Sequence, residues 1–155
     1  MKKFILSRVK PEFYSSIADF RKEIFDSDGE FDGCQQLDLY DDIEKWDLNC
    51  KLFEDPGTVP PGYSLGFQYL YADGNDVVGM INLRPEAQTH VYLSRYGGHI
   101  GYSVRPSRRN QGIATAMLGE ENVVTVSTGA LAVKSSFRFD ASSPDCSALP
   151  SVPTA

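Results

Sequence analysis

Histidine and cysteine are scarce in this chain, and the few present are poorly arranged for chemistry. Cys34, Cys50 and Cys146 are an odd number without a C-x-x-C pair, which excludes both a disulfide framework and a common zinc pattern. Two histidines, His90 and His99, are too few for most metal constellations, so no metal is expected. No Ser-His-Asp or Cys-His order stands out, which leaves covalent catalysis without support. Neither G-x-x-x-x-G-K-[ST] nor G-x-G-x-x-G occurs, so two familiar phosphate loops are set aside. Long apolar runs are missing too, and none approaches the roughly 20 residues that a membrane helix requires. The basic and then apolar opening, Met1 to Leu6, is interrupted by Arg8 and Lys10 before a signal-peptide core forms. A cytoplasmic protein with no membrane partner is expected.

Positive charge is also short. A net charge of −6 argues against nucleic acid as the main partner. The distribution is uneven: fourteen acidic and four basic side chains lie between Glu12 and Asp55, but one acidic and five basic between Arg84 and Leu118. This predicts an acidic helical part and a basic loop. The acidic part is either a solvated face or a surface that draws in a cationic amine.

What remains is an ordinary globular composition. With 155 residues, 41% hydrophobic and 23% charged, the chain suits one domain with a substantial core. Phe4 to Val9 reads as a first strand. From Glu12 to Phe25, Phe13, Ile17, Phe20 and Ile24 recur at helical spacing, followed by a turn at Asp26 to Glu30 and a polar loop. A second helix is expected from about Leu37 to Phe53. Its apolar stripe is Leu39, Ile43, Trp46, Cys50 and Phe53, with Trp46 and Cys50 read as core. Prolines and glycines from Pro56 to Gly62 form a loop. Tyr63 to Tyr71 alternates, with Tyr63, Leu65, Phe67, Tyr69 and Tyr71 on one face and Ser64, Gly66 and Gln68 on the other. Ala72 to Asp76 has hairpin-turn chemistry, Val77 to Leu83 is the return strand, and Thr89 to Ser94 begins another extended segment.

The centre of the chain is YGGHIGYSVRPSRRNQGIATAML, Tyr96 to Leu118. Gly98 to Val104 reads as a buried strand that Pro106 ends. A glycine-bearing loop then feeds a helix N-terminus, which presents unpaired backbone N–H groups on the positive end of the helix dipole. Such an arrangement binds phosphate, and Arg108 and Arg109 add formal charge. An ordinary solvated loop is the competing reading.

Arg109, Gly112 and Ala114 spell R-x-x-G-x-A directly after a strand. This resembles the acetyl-CoA loop of the GNAT N-acetyltransferases, Q/R-x-x-G-x-G/A. The string GGHIGYSVRP followed by GIATAML is similar to one bacterial branch of that superfamily in particular. The resemblance covers roughly residues 1–118 and implies an α/β (α+β) fold, a mixed and mostly antiparallel sheet flanked by helices. It implies acetyl-CoA as cosubstrate and an amine of a small molecule or peptide as acceptor, attacking the thioester directly. The backbone of Ser103 and Val104 would line the pantetheine arm, with the Val104 N–H facing the thioester oxygen. The amides of Arg109, Asn110, Gln111, Gly112, Ile113 and Ala114 would hold the diphosphate, and Thr115 would lend a hydroxyl. His99, the histidine of the proposed catalytic strand, is the candidate base. A structural histidine within the sheet is the rival reading, and an acidic residue acting through water is another candidate base. Alternation puts His99 with Gly101 and Ser103, opposite Ile100, Tyr102 and Val104.

Beyond Leu118 the resemblance stops. Gly119 interrupts the helix, Val123 to Val126 and Ala130 to Phe139 read as short strands, and the Ser, Pro and Ala content from Asp140 predicts disorder. Residues 1–118 are therefore read as the CoA-binding domain and 119–155 as a divergent tail, the product of a frameshift, a truncation or true divergence. The sheet is expected to be incomplete at its C-terminal end, with an open edge that invites a homodimer. In this superfamily a later tyrosine usually protonates the departing thiolate, yet all eight tyrosines here lie at or before Tyr102. A non-catalytic CoA-binding remnant is the alternative to an enzyme.

Overall fold

The structure, a computed structural model, describes residues 4–85 and 99–119. The extended segment expected at Thr89 to Ser94, and the strands and disorder expected in the tail, lie outside the described residues.

Four strands form one antiparallel sheet in the order β1-β2-β3-β4. They are β1 (Phe4–Arg8), β2 (Phe67–Asp73), β3 (Asp76–Leu83) and β4 (Ile100–Val104). Gly74, at φ +63°, turns the chain between β2 and β3, where a residue without Cβ costs least. Tyr71 faces Gly79 while Ala72 faces Val77, so Val78 is an extra residue and β3 bulges there.

α1 (Tyr14–Phe25) follows a 3-10 turn at Pro11–Phe13, and Phe13, Ile17, Phe20 and Ile24 are its buried face. The second helix is shorter than its apolar spacing predicts. Leu37–Leu39 is a separate 3-10 turn, and α2 spans Ile43–Leu52. The Asp42 carboxylate accepts from the amides of Glu44 and Lys45 at 3.0 and 3.4 Å, which fixes the helix start. Leu39 falls before that cap and is 69% exposed, whereas Ile43, Trp46, Cys50 and Phe53 are buried.

Both faces of the sheet are covered. Leu70, Ala72, Val77 and Met80 pack with α1, α2 and Trp46. On the other face Tyr69, Tyr71, Val78, Ile81 and Leu83 meet Ile113, Met117 and Leu118 of α3, residues 113–119. Gly79 admits that helix: a Cβ there would stand 2.9 Å from the Met117 sulfur. The mixed α/β architecture expected from the resemblance is present, as an antiparallel sheet flanked by three helices.

β2 departs from its alternation. It begins at Phe67, because Tyr63 closes a turn on the Pro60 carbonyl and the Gly66 amide donates to Phe53. The supposed polar face is also interior. Gln68 is 1% exposed and donates to the Gly33 carbonyl, and the Asn82 amide reaches both Gln68 Oε1 and Gln35 Oε1. A buried amide needs such partners, so the pairing fixes residues 33–35 on the sheet.

Candidate functional site

The site begins with the direction of backbone groups along β4. Arg105 donates to the Val78 carbonyl at 2.8 Å and Arg84 donates to the His99 carbonyl at 2.7 Å. In an unbroken antiparallel ladder hydrogen-bonded and non-hydrogen-bonded pairs alternate. Residues 99, 101, 103 and 105 therefore spend their N–H and C=O groups on β3. Ile100, Tyr102 and Val104 direct theirs to the opposite edge. The Val104 amide thus faces away from β3, and the Ser103 amide does not. Ser103 was expected to line the same path. Its hydroxyl instead donates to the Asp32 carbonyl, and its side chain is buried under the loop after α1.

Alternation places the side chains as expected. Ile100, Tyr102 and Val104 pack on the α3 side. Gly101 and Ser103, whose face His99 shares, lie under residues 32 and 33, where a Cβ on Gly33 would collide with the Gly101 backbone and one on Gly101 would meet the Arg84 guanidinium. Gly33 also has φ +68°. His99 is 2% exposed, and burial, with the Arg84 charge adding to it, holds its imidazole below the ordinary histidine range. Cys34 and Cys50 are also buried, and burial pushes both thiols up, which suits packing rather than nucleophilic work.

Beyond Val104 the chain makes a 3-10 turn at Pro106–Arg108 and then enters α3. Asn110 and Gly112 both have positive φ, +63° and +76°. Asparagine tolerates that region and glycine is at ease in it. No protein atom lies within 4 Å of where a Gly112 Cβ would stand, so within the protein itself it is the backbone conformation that calls for glycine. The first helical hydrogen bond runs from the Ala116 amide to the Gly112 carbonyl at 3.1 Å. The amides of Ile113, Ala114 and Thr115 precede it and are left over by helix geometry. Among the described residues, the amides of Asn110, Gln111 and Gly112 also donate to no protein acceptor. Six consecutive N–H groups thus follow the end of β4, with Asn110, Gln111, Gly112 and Thr115 exposed.

Compared with known protein families, residues 21–120 match the Acetyltransferase (GNAT) family. The chain belongs to the GNAT acetyltransferase family. No curated protein and no solved structure matches it. Enzymes of this family use acetyl-CoA as cosubstrate, and the matched span takes in the end of α1, α2, the whole hairpin, β4 and the amide run. Among the described residues no helix is long and apolar enough to cross a membrane, and no three His, Cys, Asp or Glu side chains are grouped as metal ligands.

In this GNAT domain the arginines before the amide run are paired within the protein. Arg105 lies between Glu23, at 2.6 Å, and Asp76, at 2.5 Å. Arg108 reaches Asp76 and Asp73 at 3.1 and 3.4 Å. Arg109 donates to Asp28 at 2.6 Å and to the Val104 carbonyl at 3.1 Å. Burial alone would raise the Glu23 carboxyl, but Arg105 and the Ser107 amide hold it below the usual carboxylate range. The Arg109 guanidinium does the same for Asp28. Nothing in the residue order signalled these pairs, because the acids come from the end of α1 and from the hairpin turn, remote in sequence from the loop.

Proposed function

We propose that this GNAT domain is an acetyl-CoA-dependent N-acetyltransferase for an amine of a small molecule or a peptide. The observation that carries the reading is the run of amides from Asn110 to Thr115, without a protein acceptor among the described residues, set directly after a strand whose Val104 amide faces away from β3. Neutral donors at a helix start suit a diphosphate, and outward-facing strand amides suit an extended pantetheine arm. In the reaction the neutral amine attacks the thioester carbonyl, the C–N bond forms, and the C–S bond breaks to release the CoA thiolate. Positioning the two substrates and polarising the carbonyl supply most of the acceleration in such a transfer. The strings GGHIGYSVRP and GIATAML support the bacterial branch named above, and we take residues 1–118 as the domain and 119–155 as its tail.

A non-catalytic CoA-binding protein is the second reading, favoured by the lack of any tyrosine after Tyr102. Thermal shift with CoA, followed by thiol release from acetyl-CoA over a panel of amines, separates the two. A ligand that binds only the folded state raises the melting temperature by mass action. Binding with turnover supports the transferase, and binding without turnover supports the second reading. Binding that is unmoved by Gly112→Glu, which sets a carboxylate among the amides, would sink both. For His99, a general base predicts that His99→Gln lowers kcat by roughly 10²–10⁴-fold with the KM for acetyl-CoA unchanged. A fall in melting temperature at constant kcat assigns it to packing instead.

A further inference from the structure

Arg109 has the position of a phosphate ligand and the bonding of a brace. Its Nε donates to the last carbonyl of β4 at 3.1 Å, and its Nη1 donates to Asp28 at 2.6 Å. Asp28 is itself held. Gly29, at φ +70°, turns back so that its amide caps the Ile24 carbonyl at 2.9 Å, ending α1. The Glu30 amide then donates to the other Asp28 oxygen at 3.1 Å. Arg105 and Arg108 are tied to Glu23, Asp73 and Asp76, and the Ser107 amide donates to Glu23. Each residue from 105 to 109 except Pro106 is thus fixed by an acid of another element, and the amide run starts at the next residue.

We propose that Asp28 is a positioning residue for the CoA loop, holding Arg109 across the end of β4 so that Arg109 braces the amide run instead of binding phosphate. This deepens the reading of the amide run as a CoA site and rests on it. A planar guanidinium bridges two acceptors in fixed directions, which a lysine ammonium on a flexible stem does not reproduce. Diphosphate recognition then falls to neutral backbone donors, with the nearby arginine charge already matched by carboxylates.

Calorimetric titration with CoA of the full chain, as wild type, Asp28→Asn, Arg109→Lys and the double variant, tests the assignment. Each single variant is expected to weaken CoA binding about fivefold, and the double variant no further than the weaker single, because both break one brace. Pantetheine, which carries no phosphate, should bind all four proteins alike, a result that a merely unfolded variant would not give. In Arg109→Gln the slope of log affinity against log salt should equal that of wild type, since no phosphate contact is removed. Tighter or unchanged CoA binding by Asp28→Asn would overturn the proposal. So would an Arg109→Lys that binds as wild type does, or a smaller salt slope in Arg109→Gln, each of which marks Arg109 as a phosphate ligand. A wild-type protein that binds no CoA removes the site reading together with this one, whereas indifferent variants of a CoA-binding wild type remove this one alone.

Discussion

Tyr14 and Asp47 show how a single pair can tie two helices together. The Tyr14 hydroxyl donates to Asp47 at 2.5 Å, joining the start of α1 to the middle of α2, and Asp47 is 3% exposed. The carboxylate acceptor, helped by burial, pushes the phenol up to about 12. A raised acid contributes stability that is complete below its unfolded value of 10.0 and lost as pH rises through the folded value. Tyr14→Phe leaves a buried carboxylate short of a donor and should cost about 1–3 kcal/mol at neutral pH. Denaturant melts at stepped alkaline pH should show wild type and variant converging between pH 10 and pH 12. Curves that stay parallel would mean that this hydrogen bond does not govern the titration.

At the scale of elements, α2 is the instructive case. A stripe of Leu39, Ile43, Trp46, Cys50 and Phe53 predicts one long helix, and four of these five residues are indeed buried. The start was misplaced because periodicity carries no boundary information, whereas the capping chemistry of Asp42 does. Asp42→Ala should therefore cost about 1 kcal/mol in chemical denaturation, about what a lost N-cap costs. Asp41→Ala, whose carboxylate sits on Arg21 at 3.0 Å and is 96% exposed, should change little. β2 teaches the complementary lesson. Its alternation of aromatic and polar residues is legible, but alternation does not say what covers the polar face. Gln68 and Asn82 are interior because a loop carrying Gly33 and Gln35 covers them, and no local pattern announces a loop that returns across a sheet. The strand, loop and helix around Val104 and Gly112 were legible for the opposite reason. Pro106, Gly112 and the apolar start of α3 act within a few residues of one another. His99 needed tertiary context, since alternation gives its face but not the chain that buries it.

The whole molecule turns out less polarised in space than in sequence. Acids counted with the helical part, Glu23 and Asp28, lie against the basic loop, so the loop's charge is largely cancelled where it was expected to attract anions. Acid lability falls in two windows, and the paired acids set the second. His99 has a lowered folded value, so its contribution is present above its unfolded 6.5 and lost as pH falls below it. Glu23 and Asp28 are also lowered, from 4.5 and 3.8, so the stability of their pairs persists to more acid pH and is lost only below those values. Melting temperature against pH should therefore decline gently below 6.5 and more steeply below 4.5. His99→Gln should flatten the first decline and leave the second. Glu23→Gln should start less stable at neutral pH, because Arg105 and the Ser107 amide lose their carboxylate, and should meet the wild-type curve in the acid window as that carboxylate protonates. A Glu23→Gln curve that tracks wild type at a constant offset down to pH 3 would show that the arginines beside the amide run do not depend on this acid for their place in the fold.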